Sequence, residues 1–301
     1  MDIFLSVISI YFFILLGFLA KRKLKDELQE KSLVIISIYF LQPMLSFWGL
    51  STKSIDTKLI GVPIIYMVIS ILCIVVSFFI AKSFFSNPKE RSIVTVSSSI
   101  GNTGNLGIPI GIALFGADSI IYTSLINVAN ILILYTVGIY FYSRGQFSVK
   151  ESLLNIIKLP LIWFAALALV LNALNIEIHS SLLNSLMMGA YAAMVLQLMI
   201  FGMFLYSVKL KHLNLKLIFH VGIIKFIIIP IISILVLKNL HLDEFIVGII
   251  LLEVLVPLAV TNVNLSSLYN CRPIDVTSLV LLSSLFFIPY ILFIMYFFGK
   301  I

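Results

Sequence analysis

Charged side chains are what this sequence has least of: they are 11% of its 301 residues, against about 25% in a soluble globular domain. That shortage excludes a solvated shell around the apolar residues, which make up 61% of the chain. Lipid is therefore the solvent for most of the surface. Acids are scarcer than bases, 13 against 20, so the clustered acids that a metal–diphosphate enzyme such as a prenyltransferase needs are missing. Also missing are a Walker loop, a nucleophile–base arrangement and any His or Cys at metal-ligand spacing. The chain is read as no enzyme, with neither metal nor cofactor expected. Cysteine is nearly absent: Cys73 lies in an apolar run and Cys271 in a short inner loop, so no disulfide between them is expected. A cleavable leader is not expected either, because the apolar run at 3–20 precedes Lys21, Arg22, Lys23 and Lys25 instead of following them. That order reads as a permanent span.

What is present is a series of apolar segments long enough to cross about 30 Å of hydrocarbon as helices. They fall at 3–20, 32–50, 59–81, 92–115, 119–142, 159–175, 182–207, 216–237, 245–268 and 276–298. Lys and Arg alternate strongly across them: fifteen lie in the loops after the odd-numbered spans and four on the other side. Cytoplasmic loops retain such residues, so both termini are expected outside a plasma membrane. The net charge of +7 is thereby spent on orientation, and without a single basic patch no nucleic-acid partner is expected.

The longest connection, 143–158, divides the chain into a first five-helix repeat at 1–145, a cytoplasmic linker at 146–158 and a second repeat at 159–301. Phe147–Lys158 could equally form a short interfacial helix or an irregular loop. Five spans is an odd number, so a duplicated half must enter the membrane inverted, the plan of many secondary transporters. The fold class expected is all-α and integral to the membrane: ten helices as two inverted repeats, with helices four and nine broken.

The breaks carry the chemistry. Span four contains Gly101, Asn102, Thr103, Gly104, Asn105, Gly107 and Pro109, a poor continuous helix. Span nine contains Glu253, Pro257, Thr261, Asn262 and Asn264. Unwound backbone is tolerated in hydrocarbon only where protein or a watery cavity satisfies it. Asn102 stands about eleven residues from the inner boundary, roughly 16 Å at helical rise and near the midplane. A half-helix starting there offers N–H groups and a positive dipole end to a carboxylate, and neutral amides add donors without holding the ligand too tightly. The plainer reading of one Gly or Asn is close helix packing; two matched clusters favour a site. The substrate-binding candidates are Asn102, Thr103, Gly104, Asn105, Pro109, Pro257, Thr261 and Asn262.

These motifs carry a resemblance. Pro43 to Phe47, Asn102-Thr103 with Gly107-Ile108-Pro109, Lys225-Phe226 with Pro230, and the run from Pro257 through Tyr269-Asn270, Pro273 and Asp275 to Pro289 resemble the auxin efflux carrier family. That family includes the plant PIN carriers and bacterial permeases for small carboxylates, and the likeness spans nearly the whole chain. It implies that spans four and nine cross at their broken centres, that a site lies beside the crossing with Asn102 on the substrate carboxylate, and that one bundle moves against another. Val195-Leu196-Gln197 stands where many bacterial members have a proline, and the inner loop is short, so auxin itself is a poor substrate guess.

Lys225 and Glu253 are the clear intramembrane charges, at similar depth when counted about 13 Å and 12 Å from opposite faces. Two readings stand. Glu253 binds and releases a coupling proton, where PIN carriers tend to have glutamine; or the two form a fixed ion pair bracing spans eight and nine. The function expected is secondary transport of a small organic anion, a mono- or dicarboxylate, with a proton as candidate co-substrate and a second copy of the chain as candidate partner. The alternatives are a sodium-coupled bile-acid-type symporter and a non-transporting sensor with a carrier-like fold. His179, His212, His220 and His241 lie near membrane boundaries and are read as solvated.

Overall fold

The computed structural model describes residues 2–52, 57–143, 157–207 and 213–297. The interfacial helix expected over 147–158 lies outside them except at its last two residues. The described chain is all-helical: α1 Asp2–Leu24, α2 Glu30–Leu50, α3 Thr57–Phe84, α4 Pro88–Val96, α5 Ile108–Phe115, α6 Ala117–Tyr142, α7 Pro160–Ala173, α8 Ser180–Ser207, α9 Leu215–Lys238, α10 Glu244–Leu255, α11 Thr261–Leu268 and α12 Pro273–Phe297. Helices occupy the predicted apolar segments, and the fourth and ninth of these are each two short helices around a break (α4 and α5, α10 and α11). Among the described residues six helices are long and apolar enough to cross a membrane. The protein is a multi-pass membrane protein.

Proline explains much of the irregularity. Widened π-turns occupy Ser37–Leu41, Thr103–Gly107 and Ile224–Ile228, and each ends two residues before a proline: Pro43, Pro109 and Pro230. A proline ring has no N–H to donate and collides with the carbonyl four residues earlier, so that carbonyl must be displaced. In α9 the displaced carbonyl belongs to Phe226, and it accepts a hydrogen bond of 3.0 Å from the Tyr290 hydroxyl of α12. The orphan that Pro230 creates is thus met by a side chain.

The chain divides into two units, each drawn from separated stretches: Met1–Pro63, Gly104–Val128 and Asn155–Ser207 form one, and Ile64–Thr103, Ala129–Leu154 and Val208–Ile301 the other. In the first unit α1 and α8 approach so closely that a Cβ built on Gly17 would overlap the Met199 carbonyl, and one on Gly202 the Ile14 carbonyl. Small residues let helix backbones meet where no hydrophobic force drives association. Around this pair the core of the unit is apolar, with Phe47, Trp48 and Leu50 of α2 against Ala165 and Ala168 of α7 and Ala190 and Ala193 of α8.

The second unit combines apolar packing with polar joints. At one end Arg272 pairs with Glu90 and, at 2.6 Å, with Asp275, while Asn214 donates to Glu90 at 3.0 Å. This network ties the starts of α4, α9 and α12 together. His220, read from the sequence as solvated, is half-buried among the rings of Phe84, Phe85 and Phe219. Cys73 and Cys271 are buried and form no disulfide.

The glycine contact gives a direct check. Gly17→Ala and Gly202→Ala should each cost about 1–3 kcal/mol through overpacking, whereas Gly222→Ala, with nothing within 4 Å of its added Cβ, should change stability by less than about 0.5 kcal/mol. Thermal unfolding of the detergent-solubilised chain measures all three.

Candidate functional site

Within the second unit the two broken segments cross as extended backbone. The Asn102 N–H donates to the Pro257 carbonyl at 2.8 Å, and the Ala259 N–H to the Ile100 carbonyl at 3.0 Å. Gly101 and Leu258 face each other across this antiparallel bridge. The sequence dictates where it forms. Pro257 cannot donate a helical hydrogen bond, so α10 ends at Leu255. Gly101 allows the approach, since a Cβ there would stand 3.0 Å from Val256 Cγ2.

Neutral side chains satisfy the peptide groups that the bridge leaves over. Asn262, fully buried, donates to the Ile100 carbonyl at 3.2 Å and the Ala259 carbonyl at 3.1 Å. Its carbonyl oxygen accepts from the Tyr142 hydroxyl at 3.0 Å. Asn130 of α6 donates to the Gly101 carbonyl at 2.8 Å and to Thr103 Oγ1 at 3.1 Å, and accepts from the Tyr66 hydroxyl at 3.0 Å. The Leu258 N–H donates to Ser283 Oγ at 3.2 Å. An unsatisfied peptide group in hydrocarbon costs several kcal/mol, so Asn262, Asn130 and Ser283 meet peptide groups of the crossing directly, and Tyr142 and Tyr66 hold the two asparagines in place. Sequence reading selected Asn262 and overlooked Asn130, Tyr66, Tyr142 and Ser283. The available signal was the pair Asn127 and Asn130, three residues apart in an otherwise apolar helix.

The candidate residues fall into distinct environments. Asn102 and Thr103 are buried at the bridge, and Asn102 Nδ2 has no hydrogen-bond partner among the described residues. Pro257 is buried within the bridge, and Thr261 is half-buried at the start of α11. Two first-turn amides of α11, those of Asn262 and Val263, are already engaged by the Ala259 and Val260 carbonyls. Gly104, Asn105 and Pro109 belong to the other unit and are half-buried. A Cβ on Gly104 would press against the Asn127 side chain at 2.8 Å.

Lys225 and Glu253 are both buried, at 1% and 0% exposure, but the ion pair that one sequence reading expected is not formed here. Lys225 Nζ donates to the Val254 carbonyl at 2.8 Å. Neither carboxyl oxygen of Glu253 has a hydrogen-bond partner among the described residues, and Tyr66 lies within its electrostatic reach. No group of three or more potential metal ligands occurs among the described residues.

Comparison with known proteins places this geometry in a family. The model described as "Membrane transport protein" matches residues 2–295. The chain belongs to that family, the auxin efflux carriers. A relative in Methanocaldococcus jannaschii, described as an uncharacterized transporter, is 24% identical over 283 residues, covering 90% of this chain and 89% of its own. The matches run along nearly the whole of this chain, and Asn102 Nδ2 at the crossover is among the buried polar atoms without a partner among the described residues.

Supporting and unpartnered amides should behave differently on mutation. Asn130→Ala and Asn262→Ala orphan buried carbonyls and should each lower stability by about 1–3 kcal/mol. Asn102→Ala removes an amide nitrogen that bonds to nothing and should stay within about 1 kcal/mol. Thermal unfolding in detergent separates the two classes.

Proposed function

We propose that this membrane transport protein is a secondary active transporter that moves a small organic anion, a mono- or dicarboxylate, across the plasma membrane by alternating access. The observation that carries the reading is Asn102 Nδ2: a buried amide donor without a protein partner, on a crossover whose neighbouring peptide groups are bonded to protein. A buried donor left over costs free energy unless a ligand or water meets it. A carboxylate is the complementary acceptor, and a neutral amide can release it again. Thr103, Pro257, Thr261 and Asn262 support the site from the same unit; Gly104, Asn105 and Pro109 stay candidates through their place in the chain directly after Thr103.

In this reading ten spans form two inverted repeats, 1–145 and 159–301, joined by a cytoplasmic linker with both termini outside. Each of the two spatial units draws on both halves of the sequence, which supports movement of one bundle against the other and not of one half against the other. Glu253 is the proton carrier. A buried carboxyl without a hydrogen-bond partner has no structural duty that a glutamine could not perform, and intramembrane acids of this kind mark proton relays. Tyr66 and Cys73 of α3 interact electrostatically with the two charges, the first with Glu253 and the second with Lys225.

Uptake of a panel of labelled carboxylates into proteoliposomes tests the reading, with and without an inward acid gradient. At least one carboxylate should accumulate, and the acid gradient should stimulate it. Asn102→Ala should cut uptake about tenfold or more, the value of roughly one charge-assisted hydrogen bond. Glu253→Gln should retain exchange but lose the response to the gradient. Movement of neutral or cationic solutes alone would sink the anion assignment. Dependence on sodium would favour a bile-acid-type symporter, and binding without transport a sensor.

A further inference from the structure

We infer that Lys225 is a tethered cation: its ammonium occupies, at the carbonyl end of half-helix α10, the place that a free coupling cation would take. The inference rests on the carrier reading above. A helix interrupted in mid-membrane exposes carbonyls that carry the negative end of its dipole. In carriers with broken helices such ends coordinate the coupling ion.

Here that end is already filled. Val254 lies in the last turn of α10, and its carbonyl receives Lys225 Nζ from the adjacent helix α9 at 2.8 Å. The lysine is 1% exposed, so its ammonium is held there and not in water. Glu253, the preceding residue, is also fully buried, and it forms no ion pair with the lysine. The space beside Val254 is narrow. Tyr66, Ser70, Cys73, Ser99 and Ile229 enclose it with about 10 Å³ of room, enough for no more than one water. Ser99 Oγ is buried with no hydrogen-bond partner among the described residues.

The consequence is a carrier that needs no alkali cation, because its positive charge is covalently attached. Shortening Lys225 would free the Val254 carbonyl, which adjoins a space lined also by the Ser70 and Ser99 side chains. Oxygen ligands of that kind suit a small hard cation. Removing the lysine should therefore convert an indifferent site into one that responds to sodium or to methylammonium, which restores the missing ammonium itself.

The experiment is thermal unfolding of the purified full chain in sodium, methylammonium or choline chloride at matched ionic strength. The wild type should melt at the same temperature in all three. Lys225→Ala should melt lower in choline and regain several degrees in sodium or methylammonium; Lys225→Met, which keeps the volume without the charge, should respond less. Should Lys225→Ala fail to fold in choline, recovery of folded protein by either cation supports the inference, and Lys225→Gln repeats the comparison. Stabilisation of the wild type by sodium would overturn it. So would a folded Lys225→Ala chain indifferent to every cation, or a set of variants that none of the salts rescues. Because melting needs no substrate, a negative result here leaves the carboxylate assignment standing, and a failed uptake panel leaves this one standing.

Discussion

Two peptide hydrogen bonds, Asn102 to Pro257 and Ala259 to Ile100, are the constraint from which the second unit is built. They exist because two helices stop in a medium that offers no water to their backbones. Each break leaves four C=O groups at the end of one helix and four N–H groups at the start of the next without helical partners. The bridge pairs some of them with each other, and the rest must find side chains. Asn262, Asn130, Tyr66, Tyr142 and Ser283 converge on this spot for that reason. None of them is charged.

The two units handle polarity differently. In the first, α1 and α8 meet through Gly17 and Gly202, and the core beside them is aromatic and aliphatic. Such packing is short-range, stiff and indifferent to pH or ions. The second unit holds the bridge, the buried Lys225 and Glu253, and the Glu90–Arg272–Asp275 network. A division of this sort suits a carrier in which one body supports and the other does the binding.

The breaks were legible from the sequence because Gly101, Gly104, Pro109 and Pro257 are hard to accommodate in a helix whatever surrounds them. The helix ends were legible because hydropathy and Lys/Arg placement report distance along the membrane normal. Direction around the helix axis was not. Asn130 could have been seen as polar, but nothing in the chain said that it faces Gly101. Counting residues put Lys225 and Glu253 at one depth, yet depth is one coordinate. Lys225 sits in a π-turn, Ile224–Ile228, whose extra residue rotates the following side chains by about 100° relative to a regular helix. That rotation is set by Pro230 and by Tyr290 accepting the consequence, a tertiary fact that a count of residues cannot contain. Asn262 stood out from the sequence as a substrate-binding candidate; its bonding shows a support for the bridge, which sequence pattern alone does not separate from a ligand contact.

The missing ion pair has a further implication. If Lys225 and Glu253 served only to brace two helices, the favourable arrangement would be direct contact, since each charge left apart in a low-dielectric interior carries its own desolvation cost. Apolar residues of similar size would brace the helices at no such cost. Instead Lys225 is spent on a backbone carbonyl at a half-helix end, and Glu253 is left with both oxygens unengaged by protein. A lysine that caps a broken helix has a fixed task. An acid held beside it without a partner is in a position to change protonation without breaking a bond that holds the fold. The proposed proton carrier rests on that separation of roles, one group anchored and the other uncommitted.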